Sequence, residues 1–134
     1  MTRPPGAHVG RATRGVTFDT GMLIAIERRK SGALALLRAC RLSRARITIP
    51  AAVVAEWWRG THEAVLESAT LEALSPSLAK QAGLLLAHTG KANVVDAIVI
   101  ASAAQRGDLV ITSDPSDLRE LAQRVVGVKV EIVR

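Results

Sequence analysis

Short apolar runs separated by longer stretches of helical period constrain this chain more than any other feature. "GVTFD", "ARITIP", "DLVIT" and "VKVEIV" have the length and residue types of strands, and "TLEALS" carries a weaker strand signal. Strands joined through helices take right-handed crossovers, so a mostly parallel sheet with helices on both faces is expected. "LVIT" has no polar alternation, as in a strand covered on both faces. In "VKVEIV" the residues Val128, Val130 and Ile132 alternate with Lys129 and Glu131, as on an edge strand. Ligands of such sheets bind beyond the carboxyl ends of the strands, which locates a site before any motif is considered.

The helices have readable ends. "MLIAIERRK" closes in the basic cluster Arg28 to Lys30, and Ser31 is positioned to cap "GALALLRACRL". Pro50 suits the start of a helix over "AAVVAEWWRG", with more helix expected through Glu67. Ser75 and Pro76 open a helix that Gly90 stops. Asn93, with Asp96 three residues on, resembles a capping box at the mouth of "VVDAIVIASAAQR", and Gly107 ends that helix. Asp114, Pro115 and Asp117 open a further helix over "SDLRELAQRV".

At 134 residues the chain has room for one domain, expected over 16–134. Residues 1–15 carry two prolines, three glycines and no hydrophobic period, the composition of a disordered basic tail. With one Phe, two Trp and no Tyr, the core must come from Ala, Leu, Val and Ile, and an aromatic stacking platform for single strands is not expected. A net charge of +6 favours an anionic partner, a nucleic acid or an acidic protein segment, although a solvated basic surface gives the same number. Cys40 is the only cysteine, so it forms no internal disulfide. No apolar run approaches ~20 residues, and a cytoplasmic chain without a membrane segment is expected.

Asp19 follows the first strand and Asp114 follows "LVIT", which puts both at the same rim of the sheet. Glu56 lies among apolar residues on the helix after the second strand, where it has no capping role. Asp96 sits in the first turn of a helix that is apolar all round and therefore central. Local roles exist for most of these acids: an Asx-turn for Asp19, caps for Asp96 and Asp114, and a helix-dipole partner for Asp117. Collected at one rim, however, four carboxylates raise one another's pKa values unless a cation stands between them. All-oxygen ligation selects Mg²⁺ or Mn²⁺. His8, His62 and His88 lack zinc-ligand spacing, and no Walker-type phosphate loop is present. An acidic site for a hard metal beside a basic surface suits phosphodiester hydrolysis.

In order and context, "VTFDTGMLIA", "IPAAVVAEWWRG", "NVVDAIVIASAAQRG" and "LVITSDPSDL" resemble the four acidic segments of PIN-domain ribonucleases, above all the VapC-like toxins of type II toxin-antitoxin modules. The resemblance covers residues 16–134. It implies an α/β PIN-domain sandwich around a central, mostly parallel five-stranded sheet. It implies a metal-binding and catalytic quartet of Asp19, Glu56, Asp96 and Asp114, with Asp117, Thr112 and Ser113 in support and Mg²⁺ or Mn²⁺ as cofactor. It further implies an endoribonuclease that inhibits translation or growth, acts as a homodimer and is silenced by a VapB-like antitoxin. Gly21 departs from the pattern, since many relatives carry a small hydroxyl residue there.

A receiver domain needs adjacent acids after an early strand, and haloacid-dehalogenase-like phosphatases need an Asp where Gly21 stands. A PIN-like module that binds RNA or protein without cutting is the non-enzymatic alternative. Arg59, next to the Glu56 segment, is a candidate phosphate contact. Trp57 and Trp58 fit core or dimer packing, with Trp58 the better interface residue.

Overall fold

In a computed structural model, described over residues 14–89, 93–125 and 127–134, the sheet is built from β1 (Val16–Phe18), β2 (Ile47–Pro50), β3 (Thr70–Glu72), β4 (Leu109–Thr112) and β5 (Lys129–Ile132). Its order is β3-β2-β1-β4-β5 and every neighbouring pair is parallel. Among the described residues six α-helices flank it: α1 (Thr20–Glu27), α2 (Ser31–Ser43), α3 (Ala51–Trp57), α4 (Pro76–Ala87), α5 (Val94–Arg106) and α6 (Ser116–Ala122). The chain runs outward from β1 through β2 to β3, then returns to the other side of β1 for β4 and β5. The point where that order reverses lies between β1 and β4.

Burial follows the sequence pattern. All of β1 and β2 is buried, as are Val110, Ile111 and Thr112 of β4, whereas β5 alternates exposed and half-buried residues as an edge strand does. In α5 every residue from Ala97 to Ala103 is buried, and three of these seven are alanines, which allow neighbouring helices and strands to approach closely. Asn93 caps α5 by accepting the Asp96 amide at 2.7 Å, and Gly107 ends it at φ +71°, in the left-handed region open to glycine. Ser75 caps α4 through the Leu78 amide at 3.1 Å. Cys40 is a buried core residue.

Several local expectations need correction. Helix does not continue to Glu67. The α3 helix stops at Trp57, Trp58 is extended, Gly60 and His62 take positive φ, and only a 3-10 turn follows at Glu63–Val65. This break turns the chain toward β3. Pro50 stands at the start of α3 as expected, in the cap position before Ala51, and is at the same time the last residue of β2, where a missing N–H is tolerated. Ser31 is the first residue of α2, whose cap position is held by Lys30 without a side-chain bond. Asp114 does not cap α6, where Pro115 occupies that position without a side-chain bond. The Gly90 stop lies outside the described residues, and α4 ends at Ala87 with His88 in the cap position. Of the basic tail, residues 1–13 lie outside the described residues; Gly15 accepts a hydrogen bond from the Leu109 amide at 3.0 Å as the chain enters β1.

Around Arg106, at the end of α5, the structure carries a part-buried ionic network with no counterpart among the sequence expectations. Arg106 donates to Glu72 Oε2 (2.5 Å), Asp108 Oδ2 (2.9 Å), Thr17 Oγ1 (2.9 Å) and Ser102 Oγ (2.8 Å). Asp108 is fully buried, and its second oxygen lies 3.8 Å from the Arg46 guanidinium. The network joins β1, the end of β3, α5 and the turn that leads from α5 into β4.

Candidate functional site

Because β1 and β4 are adjacent and parallel, the residues that follow them meet at one rim. Asp19, directly after β1, is 5% exposed. One of its oxygens accepts the Met22 amide at 2.8 Å, so the carboxylate caps α1, and the other accepts the Thr112 hydroxyl at 2.5 Å. That hydroxyl also accepts the Asp114 amide at 3.0 Å, so Thr112 ties the end of β4 to the loop that carries Asp114. Asp96 comes from the first turn of α5 and Asp117 from the first turn of α6. Glu56, in the last turn of α3, accepts the Thr20 hydroxyl at 2.5 Å.

These five carboxylates line one open hollow of about 380 Å³, together with Thr20, Gly21, Ile24, Arg28, Asn93, Ser113 and Ser116. Burial pushes the Asp19 carboxyl up to about 6 against the hydrogen bonds from Thr112 and Met22, and the charge of Asp114 adds to the rise. Burial likewise pushes Asp96 up to about 6, reinforced by the charges of Asp19, Asp117, Glu56 and Asp114. Acids brought together from four elements thus repel one another through Asp96. As placed, no group of three or more His, Cys, Asp or Glu among the described residues is gathered tightly enough to hold an ion. The donor set nevertheless fits a hard divalent cation in kind. It is all oxygen, it carries excess negative charge, and its most buried member is already aimed by two hydrogen bonds.

All of Asp19, Glu56, Asp96, Asp114 and Asp117 lie at the hollow. Ser113 lines it too, whereas Thr112 stands behind Asp19 and orients it. Arg59 does not line the hollow; its guanidinium donates to the Trp58 carbonyl at 2.7 Å. The Gly21 departure has a steric setting. A Cβ at residue 21 would stand 2.9 Å from Ser113 Oγ, and that hydroxyl donates to the Gly21 carbonyl at 3.0 Å. Ser113 therefore occupies the space that a side chain at position 21 would need. Thr20 and Ile24 carried no expectation from the sequence, and Arg28 only that of a basic cluster closing the helix; their spacing of four residues, from the first residue of α1 to its C-terminal cap position, puts them on one face.

Solved structures of similar fold include a VapBC2 complex from Rickettsia felis bound to a promoter DNA fragment, with TM-score 0.66 and 16% identity over 87% of this chain and 97% of that chain. A toxin-antitoxin complex from Klebsiella pneumoniae has TM-score 0.69 and 20% identity over 85% and 95%. A DNA-bound VapBC from Salmonella typhimurium has TM-score 0.63 and 17% identity over 89% and 98%. No curated protein matches the sequence. The family model of the PIN domain matches residues 16–123, which include all five carboxylates of the hollow, and the chain belongs to the PIN domain family.

Proposed function

We propose that this chain is a Mg²⁺- or Mn²⁺-dependent endoribonuclease and the toxin of a VapC-like type II toxin-antitoxin module, inhibiting translation or growth in the cytoplasm. The observation that carries the reading is the convergence of five carboxylates on one hollow at the reversal point of a parallel sheet, in a chain whose net charge is +6. Such a hollow repels a bare phosphodiester and needs a cation to receive one, while the basic remainder of the chain attracts the RNA. Asp19, Asp96, Asp114 and Glu56 are the residues to hold the metal. Asp117 and Ser113 support them from the α6 side, and Thr112 fixes Asp19. When bound, a hard divalent cation lowers the pKa of a water and offsets charge on the phosphate.

The residues prepare that chemistry in distinct ways. Asp19 is held at both oxygens, so it cannot swing away from the rim. Asp96 rides on the most buried helix, which gives its carboxylate a rigid support. Glu56 is held toward the hollow by Thr20 across the α1–α3 contact. The similar solved complexes support a VapB-like antitoxin as partner, since three of them pair a toxin with its antitoxin. Trp58, half-buried at the end of α3 with its ring 5.9 Å from that of Trp57, is the residue we assign to a homodimer contact.

The test is cleavage of total RNA by purified protein with Mg²⁺ or Mn²⁺, with EDTA, and with Asp96→Asn. Cleavage is expected only for the unmodified chain with added metal. Cleavage that persists in EDTA and in Asp96→Asn contradicts the mechanism, and RNA binding without cleavage by the unmodified chain favours a non-catalytic PIN-like binding module.

A further inference from the structure

The hollow is not uniformly acidic. Along α1, Thr20, Ile24 and Arg28 stand four residues apart and all line it, so one face of this helix forms a wall leading away from the acids. Thr20 is fastened to Glu56, Ile24 is half-buried and offers an apolar surface, and Arg28 is exposed at the end of the helix. Residues 20 and 28 are separated by about 12 Å along the axis at 1.5 Å per residue. Among the described residues Arg28 is the one Lys or Arg lining the hollow, and it forms no ion pair with any of them. Its backbone is fixed, with the amide donating to the Ile24 carbonyl at 2.9 Å. No carboxylate of the hollow pairs with its guanidinium, and its backbone stands at the far end of the wall from Thr20. It is free to offer its donors to an anion on a strand running across that wall.

We propose that Arg28 forms a subsite for a phosphate flanking the bond that is cut, with Ile24 packed against the intervening sugar or base. The proposal rests on the ribonuclease reading of the same hollow. A helix-end cation also complements the α1 dipole, but Arg29 and Lys30 follow directly and would serve that purpose without lining the hollow. The two roles differ in what they do to RNA. A phosphate contact contributes to binding and to its salt dependence, while a dipole partner affects only the stability of the helix.

Steady-state cleavage of total RNA with Mg²⁺, and salt-dependent binding of a labelled random-sequence single-stranded RNA and of transfer RNA, would be measured for the unmodified chain, Arg28→Ala, Arg28→Lys and Lys80→Ala. Lys80 is exposed on α4 outside the hollow and controls for loss of one positive charge. Arg28→Ala is expected to raise KM roughly three- to tenfold, with a smaller change in kcat, and to lower the slope of log affinity against log salt by about 0.7. Arg28→Lys should keep most of the slope, and Lys80→Ala should change neither quantity. Melting temperatures within a degree or so of each other would show that folding is unaffected. An unmodified chain that cuts RNA while Arg28→Ala keeps its KM and salt slope overturns the subsite alone, as does an equal effect of Lys80→Ala. An unmodified chain that neither binds nor cuts RNA overturns the subsite and the ribonuclease reading together.

Discussion

Two buried acids dominate the electrostatics of single residues. Asp19 and Asp96 each stand near pKa 6 in the folded chain against an ordinary 3.8. Between roughly pH 4 and pH 6 the folded state therefore binds more protons at these positions than the unfolded state. Their contribution favours folding most below the unfolded value and is lost as pH rises through about 6. In EDTA, the melting temperature is expected to fall between about pH 4 and pH 6.5, and Asp96→Asn should flatten that fall. At pH 7 the same variant should be more stable than the unmodified chain by about 1 kcal/mol, a few degrees in Tm. Scanning calorimetry at several pH values checks both; a metal-free Tm that rises with pH in this window, or a destabilised Asp96→Asn, would contradict the sign. Added Mg²⁺ should reverse the loss in the unmodified chain and do little for the variant.

Helix caps connect the elements to the site. Asn93 holds the Asp96 amide, so the residue that starts α5 also fixes the backbone of an acid in the hollow. Asn93→Ala should cost about 1 kcal/mol and, by loosening that first turn, weaken Mn²⁺ binding severalfold, whereas Asn93→Ser should retain most of both. Calorimetric melting and metal titration of the two variants separate the effects. Equal metal affinity in Asn93→Ala would show that the cap supports the helix without positioning Asp96. The caps at Ser75, Asn93 and Gly107 were legible in the sequence because each acts within a few residues. The end of α3 was not, although Gly60 stood as a warning, because the apolar pattern beyond it resembles helix until the chain must reach β3. Arg28 was legible only as part of the basic cluster that closes α1, not as a lining residue, since which face of α1 meets the hollow depends on how the helix packs.

Across the whole molecule the central helix α5 links two regions of different character, with Asp96 in its first turn and Arg106 in its last. The rim at β1 and β4 gathers mutually repelling acids, while the far end of α5 is locked by Arg106 with Glu72, Asp108 and Thr17. Arg106→Leu would leave Asp108 buried without its main partner and should destabilise the fold by about 3–5 kcal/mol, with little change in kcat for the fraction that remains folded. Denaturant unfolding and cleavage assayed side by side would check this, and a loss below 1 kcal/mol would show the network to be dispensable. Strand and helix types, and the rim at which Asp19 and Asp114 sit, followed from local pattern and the rules of parallel sheets. The ionic network did not, because Glu72 and Arg106 are distant in sequence and each looks like an ordinary surface charge.

The proposed function requires the five carboxylates to act as one cation site. Titration calorimetry of Mn²⁺ into the unmodified chain and into Asp19→Asn addresses that most directly. Saturable binding is expected for the unmodified chain, accompanied by proton release near pH 6 where Asp19 and Asp96 titrate, with affinity reduced at least tenfold in Asp19→Asn. No binding by the unmodified chain, or equal binding by both proteins, would contradict it.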